Sequence, residues 1–290
     1  MSDDRFEADW LALREPADHA ARSAPRSAAL VDRLRKALTD RPAPLEIVDL
    51  GAGTGSNARH LAPRLPGAQH WRLVDHDAAL LERARGSLAE LAPATDAPLT
   101  VVPDRCSLAD PARVLDRPCD LVTASALLDL VSREWIEALA EAVAERRATV
   151  LVVLSVDGRW RFLAPDGAAV DDAEDARMLD HYRAHQARDK GLGRALGGVA
   201  PGVLADALGR RGFDVELAPS PWRLAAGRHL PLSRALLAGW AAAIADQAHD
   251  ARAKIERWAE RRDRDLARGR IGVEVGHVDL LALPPDEAST

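Results

Sequence analysis

The residues best suited to chemistry form one run, Ile47-Val48-Asp49-Leu50-Gly51-Ala52-Gly53-Thr54-Gly55-Ser56-Asn57, followed downstream by Leu73-Val74-Asp75-His76-Asp77. Closely spaced glycines let a backbone turn tightly and approach a ligand. A carboxylate two positions before Gly51 can accept hydrogen bonds from a cationic or hydroxylated ligand. Asp75, about 20–25 residues beyond the turn, is placed to hold a ribose diol with both carboxylate oxygens. A dinucleotide site wants G-x-G-x-x-G with apolar residues before it, because pyrophosphate needs helix N–H groups and no nearby anion. Here Ser56 fills the third-glycine slot, and Asp49 repels a pyrophosphate. A sulfonium nucleoside carries positive charge and no phosphate, so Asp49 favours it electrostatically.

The surrounding pattern must place these residues at strand ends. Helices are expected first: Phe6, Trp10 and Leu13 at i, i+4, i+7 behind capping candidates Ser2, Asp3 and Asp4, with Pro16 interrupting, then Leu30, Leu34 and Leu38 from about Ser27. Strands are expected at Leu45–Leu50, Trp71–Asp75, Leu99–Val102, Asp120–Ala124 and Thr149–Val156, alternating with helices. The helix from Ser56 should end early at Pro63 and Pro66. A polar helix is expected over Met178–Arg188, a helix at Val203–Arg211 and a strand at Phe213–Leu217. One long helical region, Leu232–Arg268, and a last strand, Val278–Leu283, complete the chain. This alternation predicts an α/β fold: a doubly wound, mostly parallel, seven-stranded sheet with helices on both faces. Residues 1–44 read as a helical lid, 45–284 as the ligand-binding domain, and 285–290 as a tail. The stretches 157–200 and 220–272 read as insertions.

On these residues the chain resembles the class I, Rossmann-like S-adenosylmethionine-dependent methyltransferases. Asp49-Leu50-Gly51-Ala52-Gly53-Thr54-Gly55 and Asp75 carry the resemblance. Val102-Pro103-Asp104-Arg105-Cys106 matches the adenine segment, and Asp120-Leu121-Val122-Thr123-Ala124-Ser125-Ala126-Leu127 the segment at strand four. It implies S-adenosylmethionine as cofactor and these roles. Gly51, Ala52 and Gly53 approach the methionyl moiety, and Asp49 holds its amino group. Asp75 takes the ribose hydroxyls, and His76 lies against the adenine. Asp104 accepts the adenine amino group, with Cys106 nearby. Ser125 and Ala126 line the donor near the sulfonium. Arg22 reaches the donor carboxylate from the lid. Both insertions would shape the acceptor pocket. Plainer roles stand beside these: Asp75 as a helix N-cap, Asp104 as a turn residue, and Asp129 as a solvated carboxylate.

On the acceptor side, Asp129 follows strand four and is a candidate base. His181 and His185, at i, i+4, are further candidates, flanked by Arg183, Arg188, Lys190 and Arg194, which suit an anionic acceptor. The pair has helical metal spacing but no third ligand, so no metal is expected. Trp10, Trp71, Trp135, Trp240 and Trp258 are expected in cores or interfaces, Trp160 and Trp222 near the acceptor mouth. Arg257–Arg270, interleaved with Glu256, Glu260, Asp263 and Asp265, reads as an exposed i, i+4 ion-paired face.

Composition narrows the function. At 47% hydrophobic and 29% charged residues the chain can bury a core. The net charge of −6 disfavours a nucleic-acid partner. Two cysteines, Cys106 and Cys119, exclude a cysteine-based zinc ribbon. No apolar run is long enough to span a bilayer, and the first residues, Met1-Ser2-Asp3-Asp4-Arg5, lack the apolar core of a secretory signal. The expectation is a cytoplasmic methyltransferase, monomer or homodimer, acting on the O, N or C atom of a small molecule. A protein or RNA acceptor, an inactive methyltransferase-like scaffold and a dinucleotide oxidoreductase are the alternatives.

Overall fold

Apolar side chains alternate along the strands between two buried layers, so the sheet must be covered on both faces. The computed structural model describes residues 8–22, 24–91, 97–189 and 192–285. The helix signals at Ser2, Asp3, Asp4 and Phe6, and Lys190, lie outside the described residues. Helices α1 (Ala8–Arg22) and α2 (Pro25–Leu38) precede β1 (Leu45–Leu50). There follow α3 (Ser56–Leu61), β2 (Gln69–Asp75), α4 (Ala78–Leu91), β3 (Leu99–Arg105), α5 (Pro111–Val114), β4 (Leu121–Ser125), α6 (Arg133–Arg146) and β5 (Thr149–Leu163). The remainder is α7 (Ala173–Gln186), α8 (Ala200–Gly209), β6 (Asp214–Pro219), β7 (Trp222–Leu224), α9 (Leu230–Gln247), α10 (Arg252–Ala267) and β8 (Gly272–Leu283).

Ile47, Trp71, Leu73, Leu121 and Leu151 pack with Leu30 and Leu34 of α2 and Leu81 and Leu88 of α4. Val48, Leu50, Val74, Val122 and Val150 pack on the other face with Trp135 and Ile136 of α6 and Leu204 of α8. The strand order is β3-β2-β1-β4-β5-β8-β6, with β7 pairing β8 off this path. β1 to β5 are parallel, and β8 runs antiparallel between β5 and β6. The sheet therefore has 8 strands rather than seven, the addition being the three-residue β7. The chain reverses direction across the sheet at β1, between β2 and β4, and ligands bind outside the carboxyl ends of strands at such a point.

Four elements differ from expectation. Pro16 lies inside α1 instead of interrupting it. It removes one helical hydrogen bond, but buried Ala17 and Ala21 and the Arg14–Asp18 pair carry the helix through. β3 runs on to Arg105, so the adenine segment is largely strand. The region expected as one helix is two, α9 and α10, packed on each other. β5 extends to Leu163 because β8 pairs it past a bulge, Trp160 to Val275 and Leu163 to Gly272. β4 stops at Ser125, opposite Val153, so β5, β8 and β7 rise beyond the carboxyl edge as a ribbon. On that ribbon Trp160 and Phe162 pack with Met178 of α7, Trp240 of α9 and Trp258 of α10.

Candidate functional site

The glycine turn is shaped by backbone contacts to β2. Gly51 and Ala52 N–H both donate to the Val74 carbonyl, at 2.9 and 3.0 Å. Gly53 and Gly55 take left-handed φ values of 53° and 79°, where a side chain costs energy. A Cβ on Gly55 would also sit 3.0 Å from that of Ala84, so α4 can close on the turn only over glycine. Asp75 Oδ2 accepts the Gly53 N–H at 2.9 Å, and Oδ1 accepts that of Asp77 at 3.0 Å. The first task of Asp75 is thus to hold the turn, with a second lone pair left for a ligand on Oδ2, since Oδ1 also meets His76 Nδ1 at 3.2 Å. Capping of α4 falls to Asp77, whose Oδ1 accepts from Ala79 N at 2.8 Å. His76, beside Asp75 at 3.2 Å, is exposed at the rim.

Behind the turn lies a buried polar group. Alternation along β1 places Asp49 on the face covered by α1 to α4, fully buried. Its Oδ1 accepts from Asn57 Nδ2 at 2.7 Å, while Oδ2 finds no partner among the described residues. Burial pushes the Asp49 carboxyl up to about 7, against the opposing pull of the Asn57 hydrogen bond and Arg22. Arg22, at the end of α1, is equally buried, and its Nε and Nη2 have no partner among the described residues. Burial lowers its guanidinium to about 10, with Asp279 and then Asp49 holding it up. Asp279 of β8 accepts from Leu154 N at 2.8 Å and Ser220 Oγ at 2.6 Å. A buried cation with free donors and a buried acid with a free acceptor fit a zwitterion, donors to its carboxylate and acceptor to its ammonium.

The other donor-side positions lie on the same edge. Asp104 is on β3 opposite Val74 and is paired with Arg72 at 3.3 Å, so it is committed in part to β2. Cys106 is half-buried, and its N–H donates to the Asp75 carbonyl at 3.1 Å. Ser125 ends β4 half-buried. Ala126 follows with φ 53°, its N–H given to the Val153 carbonyl at 3.0 Å. A left-handed alanine costs about 1 kcal/mol, and here it turns the chain away from the strand end. Helix α1 lies over this edge: Leu11 Cδ1 would be 3.5 Å from a Cβ on Gly53.

Asp129, in the turn Leu128–Leu130 after β4, faces Tyr182 of α7. Burial first and the Asp129 charge second hold the Tyr182 hydroxyl above its ordinary value. That hydroxyl accepts from Gln186 Nε2 at 2.7 Å. Segment 192–199 closes on the same place: Val131 pairs with Leu192, and Leu196 N donates to the Val131 carbonyl at 3.0 Å. Of the histidines, His181 is half-buried on α7, and His185 Nε2 lies 3.4 Å from Asp246 Oδ2 on α9. Arg183 donates to the Gly158 carbonyl at 2.7 Å, and Arg188 binds Asp246 and Gln247. Both arginines are engaged with protein partners, and Arg194 is exposed.

Three surface expectations are corrected. Trp160 is 5% exposed on β5, stacked on Trp240 with centroids 4.4 Å apart, because the ribbon rather than a loop carries it. Trp222 is 3% exposed on β7, and its Nε1 donates to Asp18 Oδ1 at 3.0 Å. Within Arg257–Arg270, Arg262 is buried and bonded to Asp172 and Asp175 of the α7 start, with Asp265 of its own helix farther off at 3.9 Å. Sequence reasoning also passed over Asn57, Thr123, Tyr182 and Asp279. Asn57 and Thr123 stood inside the quoted motifs, and their one signal was a polar residue at an inward position.

The model of a family described as a methyltransferase domain matches residues 47–146. No curated protein sequence matches the chain. Among solved structures it is similar to the cyclopropane synthase MmaA2 from Mycobacterium tuberculosis, with 13% identity, 95% of this chain and 94% of that one covered, and a TM-score of 0.48. It is also similar to a SAM-dependent methyltransferase from Geobacter sulfurreducens in complex with S-adenosyl-L-homocysteine, with 17% identity, 93% and 98% covered, and a TM-score of 0.43. The family match falls on β1 to α6, the stretch that holds the glycine turn, Asp75 and the β4 exit. Over residues 47–146, about a third of the chain, the sequence matches a methyltransferase domain, and these residues form the parallel β1–β4 part of the sheet.

Proposed function

We propose that this chain transfers a methyl group from S-adenosylmethionine to a small molecule held between the β4 exit and the α7–α9 cap. The observation that carries the reading is the presence of buried groups of opposite kind with no partner among the described residues: Asp49 Oδ2, and Arg22 Nε and Nη2. They suit the α-ammonium and α-carboxylate of the donor. Gly51, Ala52 and Gly53 bring backbone close to the methionyl chain. Asp75 offers its remaining lone pair to the ribose, His76 lies against the adenine, and Asp104 and Cys106 edge it. Ser125 and Ala126 line the reacting side.

The donor supplies an already activated methyl group. What the chain must do is hold the acceptor in line and keep water out. Asp129 stands where an acceptor proton would leave, with Tyr182 and Gln186 fixing that wall. The closure of 192–199 on Val131 and the ribbon cap support a small acceptor over a macromolecular one. Residues 157–200 and 220–272 then serve as the acceptor-shaping parts. Calorimetric titration with S-adenosylmethionine, S-adenosylhomocysteine and NADH tests the reading. Micromolar binding of both nucleosides without NADH is expected; binding of NADH alone would overturn it.

A further inference from the structure

We propose that Asn57 is a second ligand of the donor's α-ammonium group, acting beside Asp49 through its side-chain oxygen. The inference rests on the donor-site reading above and adds a selectivity residue to it. Asn57 is the only asparagine among the 290 residues of the chain. It is the second residue of α3 and 4% exposed. Its Nδ2 donates to Asp49 Oδ1 at 2.7 Å and to Thr123 Oγ1 at 3.1 Å. The Thr123 hydroxyl gives its own hydrogen to the Leu151 carbonyl at 2.7 Å, so its oxygen is an acceptor toward Asn57. With Asp49 ionised, as an ammonium ligand requires, both neighbours accept, and the NH2 side of the amide faces them. Both amide hydrogens are then used, and Oδ1 is left buried with no partner among the described residues.

A buried amide oxygen is a costly thing to leave unpaired. Asp49 Oδ2, the free atom of the carboxylate bonded to Asn57, is left in the same state. An ammonium brings three N–H donors and needs more than one acceptor to be taken out of water. The hydrogen-bonded pair Asp49–Asn57 supplies two such acceptors, one charged and one neutral. Arg22, whose buried Nε and Nη2 have no partner among the described residues, supplies the matching donors for a carboxylate. The combination selects a nucleoside bearing both groups of an α-amino acid. Thr123 and Leu151 act behind it, as the support that keeps the amide from turning over.

The test uses the full chain and two probes, S-adenosylhomocysteine and its analogue lacking the α-amino group. By calorimetry the wild-type chain should bind S-adenosylhomocysteine about tenfold or more tightly than the analogue. Asn57→Ala, checked for folding by thermal melting, should weaken S-adenosylhomocysteine about fivefold or more and leave the analogue within about twofold. Equal loss for both probes, or no loss for either, overturns the inference. A spectrum of wild-type chain labelled with 15N-asparagine carries a single side-chain amide pair, and decides the matter even where the variant does not fold. S-adenosylhomocysteine should shift that pair and the analogue should not; equal shifts, or none from either bound probe, overturn the inference. A wild-type chain that binds neither probe overturns the donor reading and the inference together. One that binds both with Asn57 indifferent overturns the inference alone.

Discussion

Asp49 sets folding against ligand binding at a single carboxylate. Burial holds its folded value at about 7, above the unfolded value of 3.8. The folded chain therefore keeps a proton on Asp49 that the unfolded chain has lost. Its contribution favours folding below the unfolded value and is lost as pH rises through about 7. Asp49→Asn should raise thermal stability above about pH 7 and flatten its pH dependence, seen by melting across pH, while weakening S-adenosylhomocysteine about tenfold or more by calorimetry. Wild-type donor affinity should itself rise between about pH 6 and pH 8, because only the ionised carboxylate pairs with an ammonium. Arg22 stays charged at neutral pH, since burial lowers it only to about 10. Arg22→Met should cost about tenfold or more against S-adenosylhomocysteine and far less against its carboxyl methyl ester, measured in the same titration.

At the level of elements, α1 is the piece that the proposed donor site would require to respond. It is pinned by Glu15 on Arg59 at 3.0 and 2.6 Å, by His19 Nε2 on Ser56 Oγ at 3.2 Å, and by Asp18 on Trp222. Glu15→Gln removes one charge from that set and spares the Arg59 hydrogen bond to Ser87 at 2.7 Å. Donor dissociation should quicken about threefold or more in stopped flow, with faster proteolysis within residues 8–22. The elements around α1 differ in how far they could be read in advance. β1 and the start of α3 fall where the apolar run and the glycines put them. β7 and the outer half of β5 do not, because their strand character comes from pairing with β8, more than 45 residues further along the chain. The break between α9 and α10 was hidden by apolar residues that recur on both sides of it, and packing on one ribbon requires two antiparallel helices.

Across the whole molecule, the cap is locked by one buried cation far from the glycine turn. Arg262 Nε donates to Asp175 Oδ1 at 2.9 Å and Nη2 to Asp172 Oδ2 at 2.6 Å, with the guanidinium 4.8 Å over the Phe162 ring. Trp258 Nε1 donates to the same Asp175 oxygen at 2.7 Å. Removing one partner of a buried pair strands the other, at about 3 kcal/mol or more. Arg262→Met should lower stability by that amount in denaturant melts, while the folded fraction binds S-adenosylhomocysteine as wild type does. The two halves of the molecule then have separable tasks. On the proposed function the sheet edge binds the donor, and the ribbon with α7, α9 and α10 walls the space beyond β4.

The local signals sufficed for the glycine turn and the strands that flank it. A glycine turn after an apolar strand, with Asp49 and Asp75 at their intervals, states a backbone geometry and a charge preference within about 30 residues. Such features are short-range, and chain sterics alone enforce them. What the tertiary structure decided is which polar groups are buried together. Arg22 arrives from a helix before the sheet, Asp279 from the last strand, and Asn57 from the turn's own helix. Their meeting depends on strand order and on how α1 folds back, neither of which a residue pattern carries. The same holds for Trp160, Trp222 and Arg262, whose burial follows from a ribbon that exists only once β5, β7 and β8 have paired.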